Sequence, residues 1–144
     1  MIGPEREFGD LIAGVTYVLR PGGYAVISNA SGDLAVVSTS QGVFLPGGGQ
    51  EDEETPGQAA VREVFEECGL GIRLGKRLGT ADELVFAEDE DTYYRKRCTF
   101  FRAEITRRQD SGEADHELIW MLPEEAAARL HHESQRWAVA RACP

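Results

Sequence analysis

The segment from Leu45 to Leu70 constrains this chain more than any other, because its hydrophobic period changes there within a few residues. A short apolar piece, Val43-Phe44-Leu45, runs into Pro46-Gly47-Gly48-Gly49, a composition that predicts irregular backbone. Thr55-Pro56-Gly57-Gln58 then has the form of a capping box, with Thr55 at the N-cap, Pro56 at the first helical position and Gln58 at the third. The spacing predicts a helix to about Cys68, stopped by Gly69. On a helical wheel Val61, Val64, Phe65 and Cys68 form one apolar stripe, which must pack on a sheet. Glu63, Glu66 and Glu67 fall together on the opposite side, at i, i+3 and i+4. Like charges at that spacing repel one another. Such a face is either simply solvated or it holds a cation.

On both sides of this helix the chain reads as β structure. Leu11–Leu19, Tyr24–Asn29 and Leu34–Thr39 are expected strands, divided by turn signals at Pro21-Gly22-Gly23 and Ser31-Gly32-Asp33. Ile72–Leu78, Glu83–Ala87, Tyr93–Ile105 and His116–Leu122 are expected strands after it, followed by helices over Glu124–His131 and Glu133–Ala142. The order is mixed, which indicates α+β or a layered sandwich and not a regular βαβ repeat. No repeat or long linker divides the 144 residues, so a single domain spanning 1–144 is expected.

Charge and cysteine usage narrow the function classes. A net charge of −10 argues against a nucleic-acid backbone or an anionic membrane as partner. Such a chain can still meet a polyphosphate if divalent cations stand between the two. Neither a membrane span nor a secretory leader is evident, so a cytoplasmic location is the expectation. Cys68, Cys98 and Cys143 have no paired spacing and suggest neither a zinc site nor a disulfide framework.

The stretch Gly48–Leu70, GGQEDEETPGQAAVREVFEECGL, matches the signature of the Nudix hydrolase family at Gly48, Glu54, Arg62, Glu63, Val64, Glu66, Glu67, Gly69 and Leu70. A shuffled chain of this composition would match at roughly one in 10⁵ to 10⁶. The strands before it and the Pro123-Glu124-Glu125 helix start also resemble the family. The resemblance implies an α/β/α sandwich with a mixed central sheet and the family's loop-helix. It also implies a magnesium-dependent pyrophosphohydrolase, with Mn2+ a possible substitute for Mg2+, in which water attacks a phosphoanhydride of a nucleoside triphosphate or other nucleoside diphosphate derivative. Glu63, Glu66 and Glu67 would ligate the metal, joined by main-chain oxygen of Gly47 or Gly48. Glu54 would support the cluster and Arg62 would hold the carboxylates in place. Glu63 is the candidate base inside the signature, and Glu113 and Glu117 are candidates outside it. Family members often dimerise, so a homodimer is expected on that ground alone.

The substrate is less legible. Arg20 is a candidate phosphate contact, and Tyr93, Arg95 and Arg97 share one strand face that is a candidate pocket wall. The proline that ADP-ribose hydrolases place about fifteen residues after the signature is replaced by Val85-Phe86, and the tyrosine of diadenosine polyphosphate hydrolases by Ala87-Glu88. Two alternatives accompany the resemblance, a non-catalytic nucleotide-binding domain and an isoprenoid diphosphate isomerase. The isomerase needs a catalytic cysteine, and Cys68 falls on the apolar stripe.

Overall fold

The computed structural model describes residues 3–109 and 116–143. Helix α1, Pro56–Cys68, forms where its local signals place it. The Thr55 hydroxyl accepts the Gln58 amide N–H at 3.1 Å and the Gln58 side chain accepts the Thr55 N–H at 2.9 Å. Gly69 ends the helix in the left-handed region, at φ 68°, where a Cβ would be strained.

Strands β1 (Arg6–Phe8), β6 (Leu70–Ala87), β7 (Thr92–Arg108), β2 (Val18–Ile27) and β5 (Gly47–Gly49) make a mixed five-stranded sheet in that spatial order. A second sheet holds β4 (Gly42–Phe44), β3 (Leu34–Thr39) and β8 (Glu117–Met121). Helices α2 (Pro123–Arg129) and α3 (Glu133–Ala142) follow. Two cores lie on the two faces of the large sheet. Ala25, Ile27, Val64, Cys68 and Ala103 pack on the α1 side, while Val26, Phe100, Leu130 and Val139 pack on the side of α2 and α3. β3 serves both, Leu34 and Val36 in one core and Ala35 and Val37 in the other, so its first four residues are all buried.

Several expectations need correction. Of Leu11–Leu19 only Val18 and Leu19 are strand. The preceding loop is closed instead by the Tyr17 hydroxyl, which accepts the Ile12 N–H and donates to the Asp10 carbonyl. β2 runs straight through Pro21-Gly22-Gly23, where a turn was expected. Those glycines serve close approach: a Cβ on Gly23 would stand 1.8 Å from the Pro56 carbonyl oxygen, and one on Gly22 2.6 Å from that of Gly48. Gly47–Gly49, expected to be irregular, pairs antiparallel with Gly22–Tyr24 as an edge strand. Ile72–Leu78 and Glu83–Ala87 are one strand, β6, which absorbs the break with register shifts between Leu74 and Gly79. The buried stripe of α1 is Ala60, Val64 and Cys68, with Val61 exposed. The stripe is rotated, so Glu63 and Glu67 are drawn towards the sheet and only Glu66 stays on the exposed side.

Candidate active site

The glycine edge strand decides what α1 can reach. The α1 helix lies on the Gly23–Ala25 face of the large sheet, whereas Arg20 and Tyr24 point to the other face. A Cβ on Gly48 would stand 2.6 Å from the Glu63 carboxyl carbon, so the bare edge is what makes room for that carboxylate. The Gly47 N–H donates to Glu67 Oε1 at 2.9 Å. Glu63 therefore lines one cavity of about 380 Å³ and Glu67 a neighbouring groove of about 1060 Å³. Arg20, Tyr24 and Lys96 line both. The Tyr24 hydroxyl is held well above its ordinary pKa, first by burial and further by neighbouring Cys98 and the carboxylates of Glu67 and Glu63. It stays protonated there and able to donate.

Arg62 organises the acidic residues. Its Nε donates to Glu54 at 2.7 Å, its Nη1 to Glu63 at 2.8 Å and to Glu66 at 3.3 Å, and its Nη2 to the Gly49 carbonyl at 3.0 Å. Glu51 stands 3.6 Å away. The hydrogen bonds from Arg62, with one from the Glu51 N–H, hold the Glu54 carboxyl down to about 2. Glu54 thus ties the loop before α1 to the helix.

The three helix acids do not all meet at one point. Glu63 and Glu66 share Arg62, Glu67 faces Gly47, and among the described residues no three acidic, histidine or cysteine side chains close on a metal-sized centre. The donor set nevertheless suits a hard divalent cation. Carboxylate oxygens from Glu51, Glu54, Glu63 and Glu66 surround a single guanidinium, and Glu67 lies nearby on the Gly47 N–H, leaving a local excess of negative charge.

Other sequence-predicted residues fall elsewhere. Arg20 is at the site, its guanidinium 4.8 Å from the Tyr94 ring centre and 3.9 Å from Glu90. Tyr93, Arg95 and Arg97 line neither cavity, which is a correction. Arg95 and Arg97 turn to buried Asp82, and Tyr93 packs against Phe86 and Tyr17. The groove takes the opposite strand face, Tyr94 and Lys96, because the β2–β7 register sets Lys96 beside Arg20. Glu117 is exposed and lines neither cavity; Glu113 lies outside the described residues.

Sequence reasoning missed Tyr24, Phe44, Gln135 and the His131-His132 pair, all lining the large groove. The two imidazoles lie 5.1 Å apart and each is 5.4 Å from the Phe44 ring. Burial and the neighbouring charges of Lys96, His131 and Arg136 push His132 down to about 4, so it is neutral at pH 7. Nothing local in the sequence marks these residues, since long-range pairing brings them together.

A family model described as NUDIX domain matches residues 18–142. Human diphosphoinositol polyphosphate phosphohydrolase 3-alpha is 51% identical over 52 residues, 36% of this chain and 29% of that protein, so the match spans under a third of the relative's length. Among solved structures, a NUDIX hydrolase from Nitrosomonas europaea superposes with a TM-score of 0.70 at 16% identity, covering 88% of each chain. The E. coli dihydroneopterin triphosphate pyrophosphohydrolase gives 0.68 at 20% identity, covering 86% of this chain and 96% of that one. The family match extends over most of the chain and agrees with both the fold and the acidic helix: this chain belongs to the NUDIX family.

Proposed function

We propose that the chain is a divalent-metal-dependent pyrophosphohydrolase, with Mg2+ the expected ion and Mn2+ a substitute, acting on a nucleoside triphosphate or another nucleoside diphosphate derivative. The observation that supports this best is the placing of Glu63 and Glu67 beside Tyr24, where the two cavities adjoin. Bound metal would supply charge neutralisation on the phosphates and lower the pKa of water. Glu63, Glu66 and Glu67 are the residues proposed to hold it, with main-chain oxygen of Gly47 or Gly48.

The remaining chemistry belongs to the chain's own groups. Arg20 and Lys96 are the cations lining both cavities, and they would meet the phosphate oxygens. Tyr24, still protonated, would donate a hydrogen bond to the same group. Glu63 would take a proton from the attacking water as its oxygen bonds to phosphorus. The bridging P–O bond then breaks, and the leaving phosphate departs with that electron pair. Two phosphate products result. Arg62 would act indirectly, by setting where Glu63 and Glu66 point.

Diphosphoinositol polyphosphates, the substrates in the names of the curated relatives, are a second reading. They crowd many phosphates on an apolar-poor ring and would require a broad basic wall. Here Glu88, Asp89 and Glu90 line the large groove with Arg20 and Lys96, which favours a less charged, aromatic-headed diphosphate. A cytoplasmic setting fits such substrates; no helix among the described residues is long and apolar enough to cross a membrane.

The test is Glu67→Gln and Glu63→Gln, assayed with Mg2+ against nucleoside triphosphates, dinucleotide diphosphates and a diphosphoinositol polyphosphate. Either change should lower kcat about a hundredfold or more, about 2.7 kcal/mol of barrier, while leaving Tm nearly unchanged. Wild-type rates in both variants would remove the site assignment.

A further inference from the structure

Gln135 is 2% exposed, yet it lines the large groove. Its Oε1 accepts the Leu45 amide N–H at 2.8 Å. That bond settles which end of the carboxamide is which, because an N–H must meet oxygen and not nitrogen. Nε2, with two donor hydrogens, makes no hydrogen bond to the described residues and is not among the fully buried unpartnered atoms, so it keeps access to solvent. A donor held at a groove wall takes its partner from water or from a ligand. Here the groove is the side from which a partner can come.

The walls around it suit a flat ring. Phe44 with His131 and His132 forms an aromatic flank, and Phe86, 43% exposed, lines the same groove with Tyr94. Aromatic surfaces hold any planar heterocycle through its faces and do not distinguish one from another. The choice between rings then falls to a group that meets the ring edge.

We infer that Gln135 is a specificity-determining residue: its Nε2 donates to an acceptor on the edge of a heteroaromatic ring, selecting oxo-edged rings over amino-edged ones. This rests on the proposed nucleotide reading and narrows its substrate class. Oxopurines and uracil-type rings present a carbonyl oxygen where adenine and cytosine present an amino group. An amino group facing Nε2 sets donor against donor, leaving both unpaired. The Leu45 bond prevents the carboxamide from flipping to accommodate it.

The experiment measures equilibrium binding of the non-hydrolysable α,β-methylene analogues of GDP, ADP, UDP and CDP, with Mg2+ present, by calorimetry. The wild type should bind each oxo-edged ring at least tenfold tighter than its amino-edged counterpart. Gln135→Glu, examined at pH 8.5, keeps an oxygen for the Leu45 N–H and replaces the donor with an acceptor. Its preference should vanish or reverse, with a wild-type circular dichroism spectrum to show that it folds. Gln135→Met stands in if that variant lacks the wild-type circular dichroism, and its ratio should fall to near one. A wild-type ratio near one, an unchanged ratio in the variants, or binding of none of the four analogues overturns the inference. Because binding is read and not turnover, discrimination without any hydrolysis would sink the proposed reaction alone, and hydrolysis without discrimination would sink only the role of Gln135.

Discussion

Arg62 and Asp82 each stand at the centre of an ion network, and the two differ in sign, burial and balance. Arg62 gathers Glu51, Glu54, Glu63 and Glu66, four carboxylates on one guanidinium. Asp82, fully buried, takes hydrogen bonds from Arg95 and Arg97, and Arg95 pairs in turn with Glu7 of the edge strand. The second network is two cations with two anions, closed on itself and away from both cavities. The first has a surplus of negative charge and borders a cavity. A balanced buried network has a structural use, tying β1, β6 and β7 together. An unbalanced one beside a cavity favours a cation as counter-charge, and that is the physical ground for proposing a metal there.

The comparison can be broken by mutation. Burial works against ionising Asp82, but the hydrogen bonds from Arg97 and Arg95 outweigh it and hold its carboxyl below the usual range. Asp82→Asn would leave two arginines facing a neutral amide in the interior, and should cost about 3–5 kcal/mol in urea unfolding. The activity of the molecules that remain folded should stay within about twofold of wild type. A large loss of kcat with normal stability would mean that the second network is functional too.

Gly48→Ala probes the other network through its neighbour. The backbone there tolerates alanine, but the added Cβ would stand 2.6 Å from the Glu63 carboxyl carbon, so Glu63 must move. We expect roughly a tenfold fall in kcat, about 1.4 kcal/mol, with Tm changed little. Wild-type turnover would show that Glu63 need not occupy the space the bare edge leaves for it.

The smallest effect concerns pH. His132 is held down to about 4, against about 6.5 for a free histidine. The unfolded chain therefore binds more protons than the folded one between those values. Stability contributed by the neutral imidazole is complete above pH 6.5 and is lost as pH falls towards 4. His132→Asn should flatten this part of the Tm-against-pH curve relative to wild type. Parallel curves would contradict the burial of His132 as a neutral ring.

What was legible in the sequence divides along the same line. Thr55, Pro56, Gln58 and Gly69 announced α1 because capping is local. The glycines at 22, 23 and 47–49 were misread as turn or irregular backbone. A glycine needed for close approach and one needed for a turn look alike until the partner strand is known. The strand was recognised over Tyr93–Ile105 of the observed Thr92–Arg108, but its groove-facing side was not. That choice depends on its register with β2 and on buried Asp82, neither of which has a local signature. Tyr24 and Gln135 were invisible for the same reason, being brought together by contacts distant in sequence.

Manganese binding is the most direct measurement, followed by the electron paramagnetic resonance of the unbound ion, with and without nucleotide. A metal site on α1 requires that wild-type protein and Asp82→Asn bind Mn2+ alike, and that Glu67→Gln bind it at least about tenfold more weakly. Equal binding by Glu67→Gln and wild type, or no binding by wild type under either condition, would contradict it.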